Sequence, residues 1–222
     1  MISNNSPNEA CISKKDTDCN NCPLYNQLDC HFNAKKLIRF GSSFFFIVFV
    51  GGFGLFLNGF FLELTIFLII LLIYGIIFFE FWEIRILCSH CPFYAEEGRI
   101  LRCYGNYGSF KAWKYHPEPM SKSEKLQLII GFALLSLIVN IPLIFFIINQ
   151  LYYWIIAFSL GLVIFLFIIK RYHCAKCFNF SCPFNSMTKE VVDEFLRRNP
   201  VMRKAWEESG WKIVENNRYK NI

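Results

Sequence analysis

Apolar and polar positions segregate along this chain on a scale much coarser than a single helix. Lys and Arg mark the divisions. Residues 1–40 carry five, 83–125 carry seven and 170–222 carry eleven, while 41–82 and 126–169 carry none. The cation-free blocks are 42 and 44 residues long, and a helix needs roughly 20 apolar residues to cross a bilayer. Each block therefore predicts two membrane-spanning helices folded as a hairpin. Asn58-Gly59 divides the first block into spans of about 41–57 and 60–82. Asn149-Gln150 divides the second into spans of about 126–148 and 151–169. Ile66 to Phe79 and Leu160 to Ile169 are apolar on every face, which separates them from the one-sided helices of a soluble domain. The expected fold class is an all-α polytopic membrane protein: four transmembrane helices in two hairpins, with a small Cys-rich cytoplasmic metal-binding subdomain.

The charge pattern then gives a topology. An even number of spans puts segments 1–40, 83–125 and 170–222 on one side, and all 23 cations with them. The positive-inside rule makes that side cytoplasmic, so both termini are expected in the cytoplasm and the protein in the cell (plasma) membrane. Tyr152, Tyr153 and Trp154 fit an aromatic belt at the outer interface and Trp82 fits the inner one. The first 40 residues are polar and hold no apolar core of a cleaved signal peptide.

Composition sharpens this picture in one respect. Over 222 residues, hydrophobic types make up 55% and charged types 18%, against about a quarter charged in soluble domains. A disordered chain has too little apolar surface to match this, and a small secreted disulfide scaffold is shorter and more polar. The span interiors offer little chemistry. Glu63 and Glu80 fall near the two interfaces and are expected to mark them. Pro142 predicts a kink in the third span, and Asn140 a hydrogen bond to a neighbouring helix. Gly51, Gly52, Gly54, Ala157 and Gly161 favour close helix contacts.

The ten Cys carry the chemistry, and none lies in a predicted span. They form three clusters: Cys11, Cys19, Cys22 and Cys30, followed by His31; Cys88, Cys91 and Cys103, with His90 inside the pair; and Cys174, Cys177 and Cys182, with His173 before them. A Cys-Pro step recurs at Cys22, Cys91 and Cys182. Structural disulfides do not suit a reducing cytosol. The C-x-x-C pairs instead suit metal ligation, in which two thiolates chelate one ion from a tight turn and further Cys or His complete the shell. The expected ligands are Cys11, Cys19, Cys22, Cys30, Cys88, Cys91, Cys103, Cys174, Cys177 and Cys182, with His90 and His173. The first cluster holds four thiolates of its own. The second and third hold three each and need a further ligand, or they share ligands. Zinc is the expected metal. An iron–sulfur cluster is the alternative, since all-thiolate shells suit both. The Cys-Pro steps are similar to the end of a bacterial ferredoxin motif, although the C-x2-C-x2-C-x3-C run is absent. A catalytic dithiol is the third possibility, with no strand–helix–strand pattern to support it.

The remaining segments are read from their flanks. The loop 85–125 interleaves Tyr104, Tyr107, Phe110, Trp113 and Tyr115 with Arg and Lys. Tethered to the membrane at both ends, it is expected to meet anionic headgroups rather than nucleic acid. The tail predicts two short helices, the second opened by Asn199-Pro200 and stopped by Gly210. These either fold over the third Cys cluster or dock a cytoplasmic protein partner at 188–210. No phosphate-binding glycine loop, hydrolase triad signature or H-E-x-x-H motif is present. The functional expectation is an integral membrane protein with Cys-ligated metal, zinc by site chemistry, on the cytoplasmic face, serving as a membrane scaffold or adaptor for a partner. The alternatives are an iron–sulfur electron-transfer component of a membrane oxidoreductase and a thiol–disulfide redox protein.

Overall fold

The computed structural model describes residues 22, 24–25, 27–177 and 179–214. Among these residues the protein is helical, and the only β pairing is an isolated antiparallel bridge between Ile100 and Phe110. Four helices are long and apolar enough to cross a membrane: Ala34–Leu57, Phe61–His90, Lys122–Ile148 and Tyr152–Cys174. This is an integral, multi-pass membrane protein.

The first span is α1 (Ala34–Leu57), and it starts seven residues before the apolar block because Asn33 caps it, its side chain accepting from the Lys35 N–H at 2.9 Å. The second begins as α2 (Phe61–Gly75), loosens into a π-helical stretch at Ile76–Trp82, and ends as the short α3 (Glu83–Ile86). A 3-10 turn at Cys88–His90 and α4 (Pro92–Ala95) follow. The third span starts at Ser121, where a capping box closes the helix end. Ser121 Oγ accepts from the Glu124 N–H at 3.3 Å, and the Ser121 N–H donates to Glu124 Oε2 at 2.8 Å. Both orphaned donors are satisfied by that exchange.

The kink expected in the third span is real. It breaks at Asn140 into α5 (Lys122–Val139) and α6 (Ile141–Ile148), with Pro142 in the first turn of α6. Asn140 differs from expectation. Its side-chain amide donates to Ser136 O at 2.8 Å, within its own helix, so it caps the break instead of bonding a neighbour. The fourth span, α7 (Tyr152–Ile168), also ends in a π-helical stretch, Ile169–Cys174. The turns between spans rest on left-handed backbone at Gly59 (φ 79°) and Gln150 (φ 56°).

Inside the bundle α1 packs along α7, and α2 packs against α5. The core there is Phe67, Phe78, Phe146 and Phe158 with Ile47, Leu55 and Leu128, each almost fully buried. Gly131 of α5 lies against the Phe78 ring, and Gly54 of α1 lies against Phe146, where an added Cβ would come within 2.5 Å. Small residues at these crossings set the helix spacing. The remaining faces are apolar and exposed, as lipid contact requires: Phe45, Phe49, Leu62, Leu72, Leu137 and Phe167 among them.

The tail forms α8 (Lys189–Arg197) and α9 (Pro200–Glu208), the latter capped by Asn199, which accepts from the Met202 N–H at 3.1 Å. Their apolar faces do not await a partner. Val191, Val192, Phe195, Leu196, Met202 and Trp206 are buried together with Leu24, Leu28, Cys30, Cys91 and Phe93. The tail is thus the cover of the Cys-bearing layer, and these helices pack on the chain's own core.

Candidate metal centre

Three segments far apart in sequence meet at one end of the bundle. The Asp29 N–H donates to Lys176 O at 2.9 Å, tying the N-terminal segment to the third Cys cluster. The Asn179 amide donates to Leu87 O at 2.9 Å, tying the third cluster to the second. Tyr104 OH donates to His31 O at 2.9 Å, tying the central loop to the N-terminal segment. The loop aromatics are used in the same way. Tyr94 OH donates to Trp113 O at 2.8 Å, and Phe32 stacks on Tyr107 with ring centroids 4.8 Å apart. They are internal struts as much as surface groups.

This layer collects the thiols. Cys30, Cys88 and Cys91 are buried, and Cys22, Cys103, Cys174, Cys177 and Cys182 are partly buried; the six of the second and third clusters are in no disulfide. Cys11 and Cys19 lie outside the described residues. The second and third clusters sense each other electrostatically. Burial drives the Cys91 thiol pKa well up, and the neighbouring Cys177 and Cys103 sulfurs push it further. Burial raises Cys177 too, followed by Cys182, with Cys174 and Cys103 adding to it. Burial takes Cys103 up to about 11, with the Glu83 carboxylate contributing, and takes Cys182 up to about 12, with Cys174 and Glu83 contributing. Cys91 and Cys103 of the second cluster thus lie near enough to Cys177 of the third for the two clusters to influence each other electrostatically.

Two polar residues in this network were not singled out by sequence. Asn106 stands three positions after Cys103, and its backbone N–H donates to Cys103 Sγ at 3.3 Å. Its side-chain amide donates to Cys88 Sγ at 3.0 Å and to Glu83 Oε2 at 3.1 Å. Glu83 is 7% exposed and Asn106 5%. The only hint in the sequence was Asn106 inside a Gly-Asn-Tyr-Gly turn just after a Cys. Glu80, one turn earlier, accepts from Ser109 Oγ at 2.9 Å, so the same loop meets both carboxylates at the end of the second span.

The two His proposed as ligands stand differently. His173 is buried, 8% exposed, with neither ring nitrogen hydrogen-bonded, and its ring lies between Phe40 (centroids 5.2 Å apart) and Tyr104 (6.3 Å). An orphaned buried imidazole is costly, and a metal ion is one partner that would satisfy it. His90 has both nitrogens engaged with oxygen: Nδ1 donates to Glu118 O at 2.7 Å, and Nε2 faces Glu124 Oε1 at 3.4 Å. It fastens the loop to the start of the third span. His116 also turns to Glu118, Nδ1 to Oε1 at 2.8 Å.

Among the described residues, no three His, Cys, Asp or Glu side chains close on a single point in the manner of a finished metal shell. What the layer does offer is a buried to half-buried set of sulfur and nitrogen donors gathered from three segments, with amide N–H groups aimed at two of the sulfurs. No protein-family model matches the chain, and no curated protein or solved structure matches it.

Proposed function

We propose that the Cys layer holds a thiolate-bound metal, zinc in the first instance, and that the protein is a scaffold of the cell membrane with this layer and both termini on the cytoplasmic side. The observation that carries the reading is that six thiols from two distant segments, two of them buried and four half-buried, lie at the same end of the bundle as the orphaned imidazole of His173. Neutral thiols gain little from such company. Thiolates held there need a cation, and a divalent ion inverts the local preference by favouring the deprotonated form. Zinc accepts Cys and His together. A metal would also explain why three segments fold against one another, because binding energy at such sites is folding energy.

The iron–sulfur reading draws support from the same layer, since the thiols outnumber a single tetrahedral shell and N–H donors to sulfur tune cluster potentials. The thiol–disulfide reading draws less. A reactive dithiol is exposed with a lowered thiol pKa, whereas burial raises Cys91, Cys103, Cys177 and Cys182. A partner at 188–210 would have to use the charged outer rim, Arg198, Arg203 and Lys204, because the apolar face is already packed.

The test is elemental analysis of protein purified in detergent without added chelator. Stoichiometric zinc in a colourless sample, reduced by half or more in Cys91→Ser and Cys177→Ser, is the expected result. A brown sample containing iron and acid-labile sulfide would select the electron-transfer reading. Metal-free protein with rapidly alkylated Cys would overturn both.

A further inference from the structure

The first and fourth spans carry cations at their Cys-layer ends and no acid to match them. From 30 to 62 and from 125 to 189 the sequence holds no Asp or Glu. Lys35, Lys36 and Arg39 stand in the first two turns of α1, and Lys170 and Arg171 in the π-helical stretch that ends the fourth span. Lys36 pairs with Asp29. The other four pair with no carboxylate among the described residues. Topology signals need cations at this end but no particular geometry. Arg39 and Arg171 have one. Both guanidinium groups are drawn to the ring of Tyr172, with Cζ of Arg39 4.9 Å and Cζ of Arg171 5.8 Å from its centroid. The ring thus joins α1 to the end of the fourth span, two helices that pack along each other. Attraction to the ring face offsets part of the repulsion between the two charges. It leaves the in-plane N–H groups of each guanidinium, five donors apiece, free to meet an acceptor. Arg39, Arg171 and Tyr172 are all exposed, and so are the apolar Ile38 beside Arg39 and Phe167 about one turn before Arg171.

We propose that Arg39, Arg171 and Tyr172 form a binding site for the phosphodiester headgroup of an anionic phospholipid, between the first and fourth spans in the leaflet on the side of the Cys layer. The chemistry follows from the donors. A phosphodiester offers two unbridged oxygens to planar guanidinium forks, the pairing in which Arg excels. Basic pockets between spans take anionic headgroups in this way. A choline lipid carries the same phosphate, but its ammonium group is repelled by the same two arginines, so the site discriminates by net charge. The exposed Ile38 and Phe167 decide between a lipid and a free phosphate. They put apolar surface beside the two guanidinium groups, where acyl chains continue from the headgroup and an inorganic anion has nothing to offer. The site does not depend on whether the Cys layer holds metal.

Full-length protein in a neutral detergent is titrated with phosphatidylglycerol and with phosphatidylcholine of the same acyl chains, and bound lipid is read by native mass spectrometry. Wild type is expected to hold phosphatidylglycerol at least about tenfold more tightly, since each cation near a headgroup contributes roughly fivefold. Arg39→Gln combined with Arg171→Gln should bring the two lipids to within about twofold of each other. Lys122→Gln combined with Lys125→Gln removes as much charge from the start of the third span and should leave the preference in place. Tyr172→Leu keeps both charges but frees them from the ring, and should weaken the preference by about threefold. A wild type with no preference, or a full preference in the Arg39 and Arg171 double variant, would overturn the site. Equal loss in the Lys122 and Lys125 double variant would replace it with a diffuse basic surface. Displacement of phosphatidylglycerol by millimolar inorganic phosphate would show a site for a free anion and overturn the lipid assignment. If the Arg39 and Arg171 double variant does not fold, Tyr172→Leu decides alone, and a wild-type preference there would sink the proposal.

Discussion

Asp193 shows how one buried acid organises the end of the chain. It lies on α8, 2% exposed, and accepts from Lys189 Nζ at 2.8 Å, Trp211 Nε1 at 2.8 Å and the Val214 N–H at 3.0 Å. Lys189 also sits over the Trp211 ring at 4.7 Å. Burial alone would raise the Asp193 pKa, but these bonds outweigh it and hold the carboxyl below its ordinary 3.8. A depressed carboxylate stabilises the folded state above its unfolded pKa and loses that contribution as pH falls through the folded one. The 211–214 latch is therefore expected to hold from neutral pH down to about 4 and to loosen below that. Asp193→Asn removes the charge and is expected to cost about 1.5–3 kcal/mol, the usual value of a hydrogen bond to an ionised group. Limited trypsin cleavage after Lys212 should speed up several-fold in the variant at pH 7. Equal cleavage rates would show that the carboxylate does not hold this segment. Neither Asp193 nor Asn106 stood out in the sequence, because their roles depend on neighbours 18 and 23 positions away that no local pattern relates.

At the scale of elements, charge segregation located all four spans but misplaced their ends. Helix ends follow capping, and Asn33 and Ser121 lie outside the apolar blocks, so α1 and α5 begin in polar sequence. The second and fourth spans continue the other way, through π-helical turns up to His90 and Cys174. Such turns recur at functional sites, and here both deliver a Cys cluster. Packing inside the bundle was legible only in part. Gly51 and Gly54 stand in a glycine cluster that marks a contact position, whereas Gly131 is a lone Gly in an apolar run and carries no motif. Yet Gly131 meets Phe78, which is fully buried, and Tyr74 OH donates to Gly131 O at 2.7 Å. Gly131→Ala is expected to destabilise the bundle by about 1–3 kcal/mol, as overpacking does. Gly41→Ala is the control: nothing lies within 4 Å of its added Cβ, and helix propensity favours Ala. Thermal unfolding in detergent should place Gly131→Ala below wild type and Gly41→Ala at or above it. A Gly131 variant as stable as wild type would mean the α2–α5 contact tolerates a wider spacing.

At the scale of the molecule, the Cys clusters are legible in the sequence, but how the second and third meet is not. The second and third clusters are some 80 residues apart, Cys91 to Cys174, and they join because the spans return both chain segments to one end of the bundle. The same geometry makes orientation testable. Tyr153 is 90% exposed at the end of the bundle away from the thiols, while Lys204 lies on the tail cover above them. If the cation-rich end faces the cytoplasm, as the positive-inside rule requires, a membrane-impermeant maleimide applied to intact cells should label Tyr153→Cys and leave wild type and Lys204→Cys unlabelled. Permeabilising the cells should then expose Lys204→Cys. Labelling of wild type from outside would reverse the orientation. The thiols would then face an oxidising compartment, where disulfides persist, and the case for metal-bound thiolates would have to give way to one for cross-linked ones. The topology experiment therefore decides which redox chemistry the Cys layer can support, independently of whether metal is found in it.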